Sequence, residues 1–212
     1  MKIKSNILSF AIIFSILISA CSNTSTHQSM SMDTSSGNSN SQLVSQNQPA
    51  LNEISRLTSL AGKDSIKVED LSKLEGMIKD DGKAMDEFNE IKTMVKYKEF
   101  EHAAHGLSFL DGYLRTGKKV ICPGHELSHY YIFKKHGEGD MANDSLNAAK
   151  DEMSQWIPKA RNYNNKYPSG ENFDIIVKVL NDHIKDIESG KTTITNEEMD
   201  YLDNKASICV QE

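Results

Sequence analysis

From residue 51 onward the apolar residues recur every three or four positions, and no stretch shows the alternation that a half-buried strand requires. Phe173, Ile176, Val177, Leu180, Ile184 and Ile187 keep this spacing most strictly, and Gly190 follows as a C-terminal stop. Leu51, Ile54, Leu57 and Leu60 predict a short helix ended by Gly62, and Val68, Leu71, Leu74 and Ile78 predict a second, stopped by Asp80-Asp81-Gly82. A long helical stretch follows, with Ala84, Phe88, Ile91 and Val95 in one register and Phe100, Ala103, Leu107, Leu110 and Leu114 in another. The slip between Val95 and Phe100 predicts a bend or a wide apolar face. Pro123 suits the first turn of a helix reaching about Lys135, because its missing N–H costs nothing there. A further helix, from about Asp144 to Ile157, should bury Leu146, Ala149, Met153 and the single Trp156 before Pro158 stops it; residues 161–170 read as a loop. Thr195-Asn196-Glu197-Glu198 is a capping box, opening a last helix that presents Met199 and Leu202 and leads to Cys209. The expected fold is all-α, a small multi-helix bundle over residues 50–212.

The start of the chain has a different character. MKIKSN carries two lysines, ILSFAIIFSILISA is an uncharged apolar run, and Ile18-Ser19-Ala20 precede Cys21. A basic start, a short apolar segment and small residues before a cleavage point describe an export signal. Ile18-Ser19-Ala20-Cys21 resembles the bacterial lipobox, which implies a signal peptide over 1–20 and acylation of Cys21. Buried methylenes contribute about 0.8 kcal/mol each, so several acyl chains hold a soluble domain to a bilayer. Ser22 after Cys21 resembles the outer-membrane sorting pattern, which implies a lipoprotein facing the periplasm. Residues 22–48 are mostly Ser, Asn, Thr, Gln and Met without an aromatic side chain, so 21–49 reads as the acylated cysteine and a flexible, disordered tether. His27, Met30 and Met32 have donors that suit a soft metal, but a low-complexity tether is the preferred reading.

Charge and cysteines narrow the partners and the compartment. The chain carries 24 basic and 30 acidic residues, and removal of Lys2 and Lys4 with the leader leaves 22 against 30, a net charge of −8. That excess argues against nucleic acid and against anionic headgroups; a basic protein partner in the envelope would suit it better, although solubility alone is the commoner reason for such an excess. With Cys21 acylated, Cys122 and Cys209 remain in a compartment that permits a disulfide; two separate buried thiols are the alternative.

Residues 112–140 hold the chemistry-bearing motif, His125-Glu126-Leu127-Ser128-His129. On a helix, His125 and His129 share a face at i and i+4. In a zinc metallopeptidase they would bind the ion while Glu126 takes a proton from the bound water, and the third ligand would be Asp144, Asp151 or Glu152, of which Glu152 is chosen. The helix after the motif faintly resembles that of the ImmA-like peptidases. Yet Pro123-Gly124 puts His125 in the first turn, and no strand is apparent to grip a peptide. A pair of Glu-x-x-His motifs, Glu99 with His102 and Glu126 with His129, would also match half of a di-iron bundle site.

The architectural reading is preferred. Gly112-Tyr113, Gly117, Cys122-Pro123 and a helix ending near His136-Gly137 resemble the Tai/Rap family of exported helical immunity proteins, over roughly residues 88–158. The resemblance implies structural roles for Tyr113, Cys122 and Pro123, histidines on a solvent face, and neutralisation of a peptidoglycan amidase. Where the family carries a second cysteine this chain has Trp156-Ile157-Pro158, and Cys209 offers the missing sulfur from the extension over 159–212. The expectation is therefore a lipid-anchored, non-catalytic binding protein that needs no cofactor. A zinc metallopeptidase using His125, His129, Glu126 and Glu152 is the alternative.

Overall fold

The computed structural model describes residues 36–166 and 171–212. The expected leader, Cys21, His27, Met30 and Met32 lie outside them. Eight α-helices account for most of the described residues: α1 (Ser36–Ala61), α2 (Ser72–Ile78), α3 (Gly82–Tyr97), α4 (Phe100–Thr116), α5 (Pro123–Lys135), α6 (Gly139–Lys166), α7 (Phe173–Glu188) and α8 (Asn196–Asn204). A 3-10 turn, Val68–Leu71, leads into α2. Two short strands, β1 (Val120–Ile121) and β2 (Val210–Gln211), pair antiparallel, Ile121 opposite Val210. The all-α expectation holds. No described helix is long and apolar enough to cross a membrane.

Helix boundaries follow from local chemistry. The Asp81 carboxylate accepts from the Ala84 amide to start α3. Lys98 stops it in the left-handed region at φ 64°, which turns the expected register slip into a clean break between α3 and α4. At α8 the capping box forms as read: Thr195 Oγ1 accepts from the Glu198 amide at 3.1 Å, and the Glu198 carboxylate accepts from the Thr195 amide at 2.8 Å. Those bonds, together with Lys191, hold the Glu198 carboxyl down at about 2.

Two boundaries differ from the sequence reading. The polar segment before residue 50 is helical from Ser36, because Val44 packs on the core and Asn47 Nδ2 donates to the Leu114 carbonyl at 2.7 Å, laying α1 along α4. Pro158 does not stop α6. It sits exposed within the helix, between the fully buried Trp156 and Ala160, and the helix runs on to Lys166. Anchoring on both sides outweighs the one backbone bond that proline forfeits.

Around the disulfide the C-terminal segment is tied back to the bundle. Cys122 and Cys209 are joined at an S–S distance of 2.08 Å, 87 residues apart in sequence. Trp156 Nε1 donates to the Ile208 carbonyl, and Lys159 Nζ to that of Gln211. Gly124 permits the close approach: a Cβ there would stand 2.6 Å from the Ala206 carbonyl oxygen. The Cys-Pro-Gly sequence thus joins a sulfur anchor, a preset first helical turn and a side-chain-free contact surface in three consecutive residues.

Candidate functional site

Helix α5 carries the motif and is buried on every side. His125, Leu127, Ser128, His129, Tyr130, Tyr131, Ile132 and Phe133 are all inaccessible, because α6, α7 and α8 pack around it. The expectation that its histidines face solvent is overturned: His125 is 3 % exposed and His129 2 %. Two chemically distinct environments flank this helix.

On one side four imidazoles gather, His102 and His105 from α4 with His125 and His129 from α5. The ring centres of His125 and His129 lie 3.9 Å apart. His105 is 5.6 Å from His125, and His102 is 5.8 Å from His129 and 6.1 Å from His125. Carboxylates fix two of the rings. His129 Nδ1 lies 2.8 Å from Glu90 Oε2, and His102 Nε2 lies 3.3 Å from Asp203 Oδ1, which also accepts from the Ser128 hydroxyl at 2.6 Å. A ring N–H pointed at a carboxylate leaves a lone pair on the ring's other nitrogen. For His129 that nitrogen, Nε2, is fully buried without a hydrogen-bond partner, and so is Nε2 of His125. Burial, with the neighbouring His129, His102 and His105, holds the His125 imidazole well below its ordinary range; burial and His102 lower that of His105. Both rings are therefore neutral at pH 7. Among the described residues no three His, Cys, Asp or Glu side chains converge, as they lie, on a point where an ion would fit.

On the other side Glu126 opens into a cavity of about 700 Å³ that neither His125 nor His129 lines. Glu87 and Glu90 from α3, Lys119 before β1 and Asp144 from α6 share its wall. Burial, reinforced by Glu90, pushes the Glu87 carboxyl well above its usual range; burial with Glu90 and Glu152 does the same to Glu126. One Glu126 oxygen, Oε2, is enclosed without a partner. Glu152 is committed elsewhere. Its Oε2 accepts from the Cys122 amide at 3.0 Å, and its Oε1 lies 2.9 Å from Lys119 Nζ, an ion pair that falls short of hydrogen-bond alignment. Burial raises the Glu152 carboxyl against the pull of that lysine. Burial opposes the charge on Lys119 as well, but Glu152 outweighs it and holds the ammonium above its usual range.

The candidate residues are thus brought to one helix and divided between its two sides: His125 and His129 into the imidazole cluster, Glu126 into the cavity, Glu152 against Lys119 and the start of α5. Glu99, half of the paired Glu-x-x-His reading, bonds Lys135 and His136 instead. Tyr113, carried over from the immunity resemblance, donates to the Asp81 carboxylate that caps α3, a structural role. His183 is packed, 3.1 Å from the Tyr131 hydroxyl. Sequence reasoning missed His105, Glu87 and Glu90, although His102-x-x-His105 and Glu87-x-x-Glu90 each place their pair on one helix face. Comparison with protein-family models, curated proteins and solved structures finds no match to this chain.

Proposed function

We propose that this chain is a lipid-anchored envelope protein that binds a partner without catalysis, taking a cationic group of that partner into the acidic cavity beside α5. The observation that carries the reading is the separation of the motif. Glu126, the residue a peptidase would need as base, lines the carboxylate cavity, while His125 and His129 lie outside it and nearly inaccessible. General-base chemistry requires the base within hydrogen-bond reach of the nucleophile, and the buried pair offers no path to a polypeptide substrate.

The cavity is lined by Asp86, Glu87, Glu90, Glu126, Asp144 and Glu212 against Lys83, Lys92 and Lys119, an acidic excess that suits an ammonium or guanidinium group, and the net negative charge of the chain steers such a group toward it. Export is supported by the leader-like start and by the Cys122–Cys209 bond, which belongs to an oxidising compartment. Anchorage rests on Ile18-Ser19-Ala20-Cys21. The choice of a cell-wall amidase as the partner, and so of an immunity-type inhibitor, rests on the family resemblance alone.

The test is equilibrium binding of a short lysine- and arginine-containing peptide to the full chain in detergent, beside a peptide with those residues replaced by glutamine. The reading predicts saturable binding of the basic peptide that weakens at least tenfold when Glu87→Gln and Glu126→Gln are combined. Binding unchanged by that pair, or none, removes the cavity as the site. Proteolysis of a denatured protein by the zinc-loaded chain, abolished by Glu126→Gln, would instead establish the peptidase. For the amidase, deletion of the gene should sensitise cells to a neighbour's enzyme, and unchanged survival removes that partner.

A further inference from the structure

We propose that the imidazole cluster between α4 and α5 binds one divalent transition ion of the nickel, copper and zinc group, with His102, His105, His125 and His129 as the ligand set. Its ligands lie outside the acidic cavity, with which the site shares only the orienting Glu90, and the proposal does not depend on partner binding there.

Three observations support it. First, two buried side chains leave their Nε2 atoms without any partner. An enclosed polar atom left unpaired costs about 1–3 kcal/mol, so two of them on adjacent turns of one helix call for something to satisfy both. Second, the rings are held as ligating histidines are held. Glu90 is placed to accept a hydrogen bond from Nδ1–H of His129, and Asp203, itself fixed by the Ser128 hydroxyl, to accept one from Nε2–H of His102. A carboxylate on one ring nitrogen sets the tautomer, orients the ring and raises the basicity of the other nitrogen. Third, the spacing fits. An ion bound at about 2.0–2.1 Å lies about 3 Å from a ring centre, so neighbouring rings in a tetrahedral set stand roughly 5 Å apart. Five of the six pairs of ring centres bracket that value, from 3.9 Å for His125 and His129 to 6.2 Å for His102 and His105.

As they lie, the four rings do not converge on one point, so loading requires the closest pair to open and the wider pairs to close by about 1 Å. All-nitrogen donors select the borderline ions and disfavour calcium and magnesium, which take oxygen ligands.

The experiment is titration of the full chain, stripped with a chelator and purified in detergent, with Zn²⁺ by calorimetry and with Co²⁺ by visible absorption. One ion per chain is expected, with the intense d–d bands of tetrahedral cobalt. His125→Gln and His129→Gln should each weaken binding at least a hundredfold. Because either may disturb the buried helix, the half-buried His105→Gln and the orienting Glu90→Gln serve as second variants, each expected to weaken binding about tenfold while the helical circular dichroism stays unchanged. Absence of binding to the folded wild type overturns the proposal. So does octahedral cobalt, and so does binding that survives His105→Gln and Glu90→Gln together but is lost in Glu87→Gln with Glu126→Gln.

Discussion

The two sides of α5 bury polar groups in opposite ways. Toward α4 the imidazoles pack against one another, and Nε2 of His125 and of His129 is enclosed without a hydrogen-bond partner; toward α3 the carboxylates line an open cavity together with three lysines. Burial favours the neutral form on both sides, but with opposite consequences for pH. A carboxyl whose folded pKa lies above 4.5 makes the folded chain hold more protons than the unfolded one, so its contribution to stability grows as pH falls toward 4.5. An imidazole whose folded pKa lies below 6.5 binds its proton more readily when unfolded, so its contribution is lost as pH falls below 6.5. One helix therefore separates a region that acid weakens from a region that acid relieves. A pentapeptide motif read only along the chain merges the two, because His125 and Glu126 are neighbours in sequence and yet point to different chemistry.

The largest effect should come from the element both sides share. Cys122→Ser with Cys209→Ser removes a bond closing a long loop and should cost about 4 kcal/mol in urea unfolding, loosening the α5 start that Glu152 and Gly124 hold. A loss under 1 kcal/mol would mean that packing alone fixes this junction. Next, Gly124→Ala forces a methyl against the Ala206 carbonyl and should cost about 1–3 kcal/mol, read as a lower melting temperature with the disulfide still formed.

Smaller effects should separate the sides. Lys119→Met removes the lysine paired with Glu152; with the lysine side chain 44 % exposed, the loss should be about 1–2 kcal/mol at pH 7, shrinking as pH falls toward 4.5 and Glu152 takes up a proton. Smallest is Glu87→Gln, which should flatten the rise in stability as pH falls toward 4.5, measured by urea midpoints with a chelator present. An unchanged slope would show that Glu87 does not carry the effect of the cavity.

Much of the fold was legible in the residues themselves. The three-and-four spacing of Phe173 to Ile187 gave α7, the Thr195 capping box gave the start of α8, and the removal of Cys21 from the cysteine count left the pair that is bonded. What was not legible depended on tertiary packing. Asn47 reaches a carbonyl 67 residues away to hold the polar half of α1, and Trp156 and Ala160 carry α6 past a proline. The site was legible only in part for the same reason. Spacing put His125 and His129 on one face, but only the packing of α3 and α4 shows that His102 completes one side, Glu87 the other, and that Glu90 reaches both.

The central claim is that α5 divides two independent binding chemistries, and a crossed comparison tests it most directly. Affinity for the basic peptide and for Co²⁺ would be measured on the wild type, on Glu87→Gln with Glu126→Gln, and on His105→Gln with His129→Gln. The account predicts that the carboxylate variant loses the peptide and keeps tetrahedral cobalt, while the histidine variant loses cobalt and keeps the peptide. Loss of both ligands in each folded variant would contradict it and make the two sides a single site.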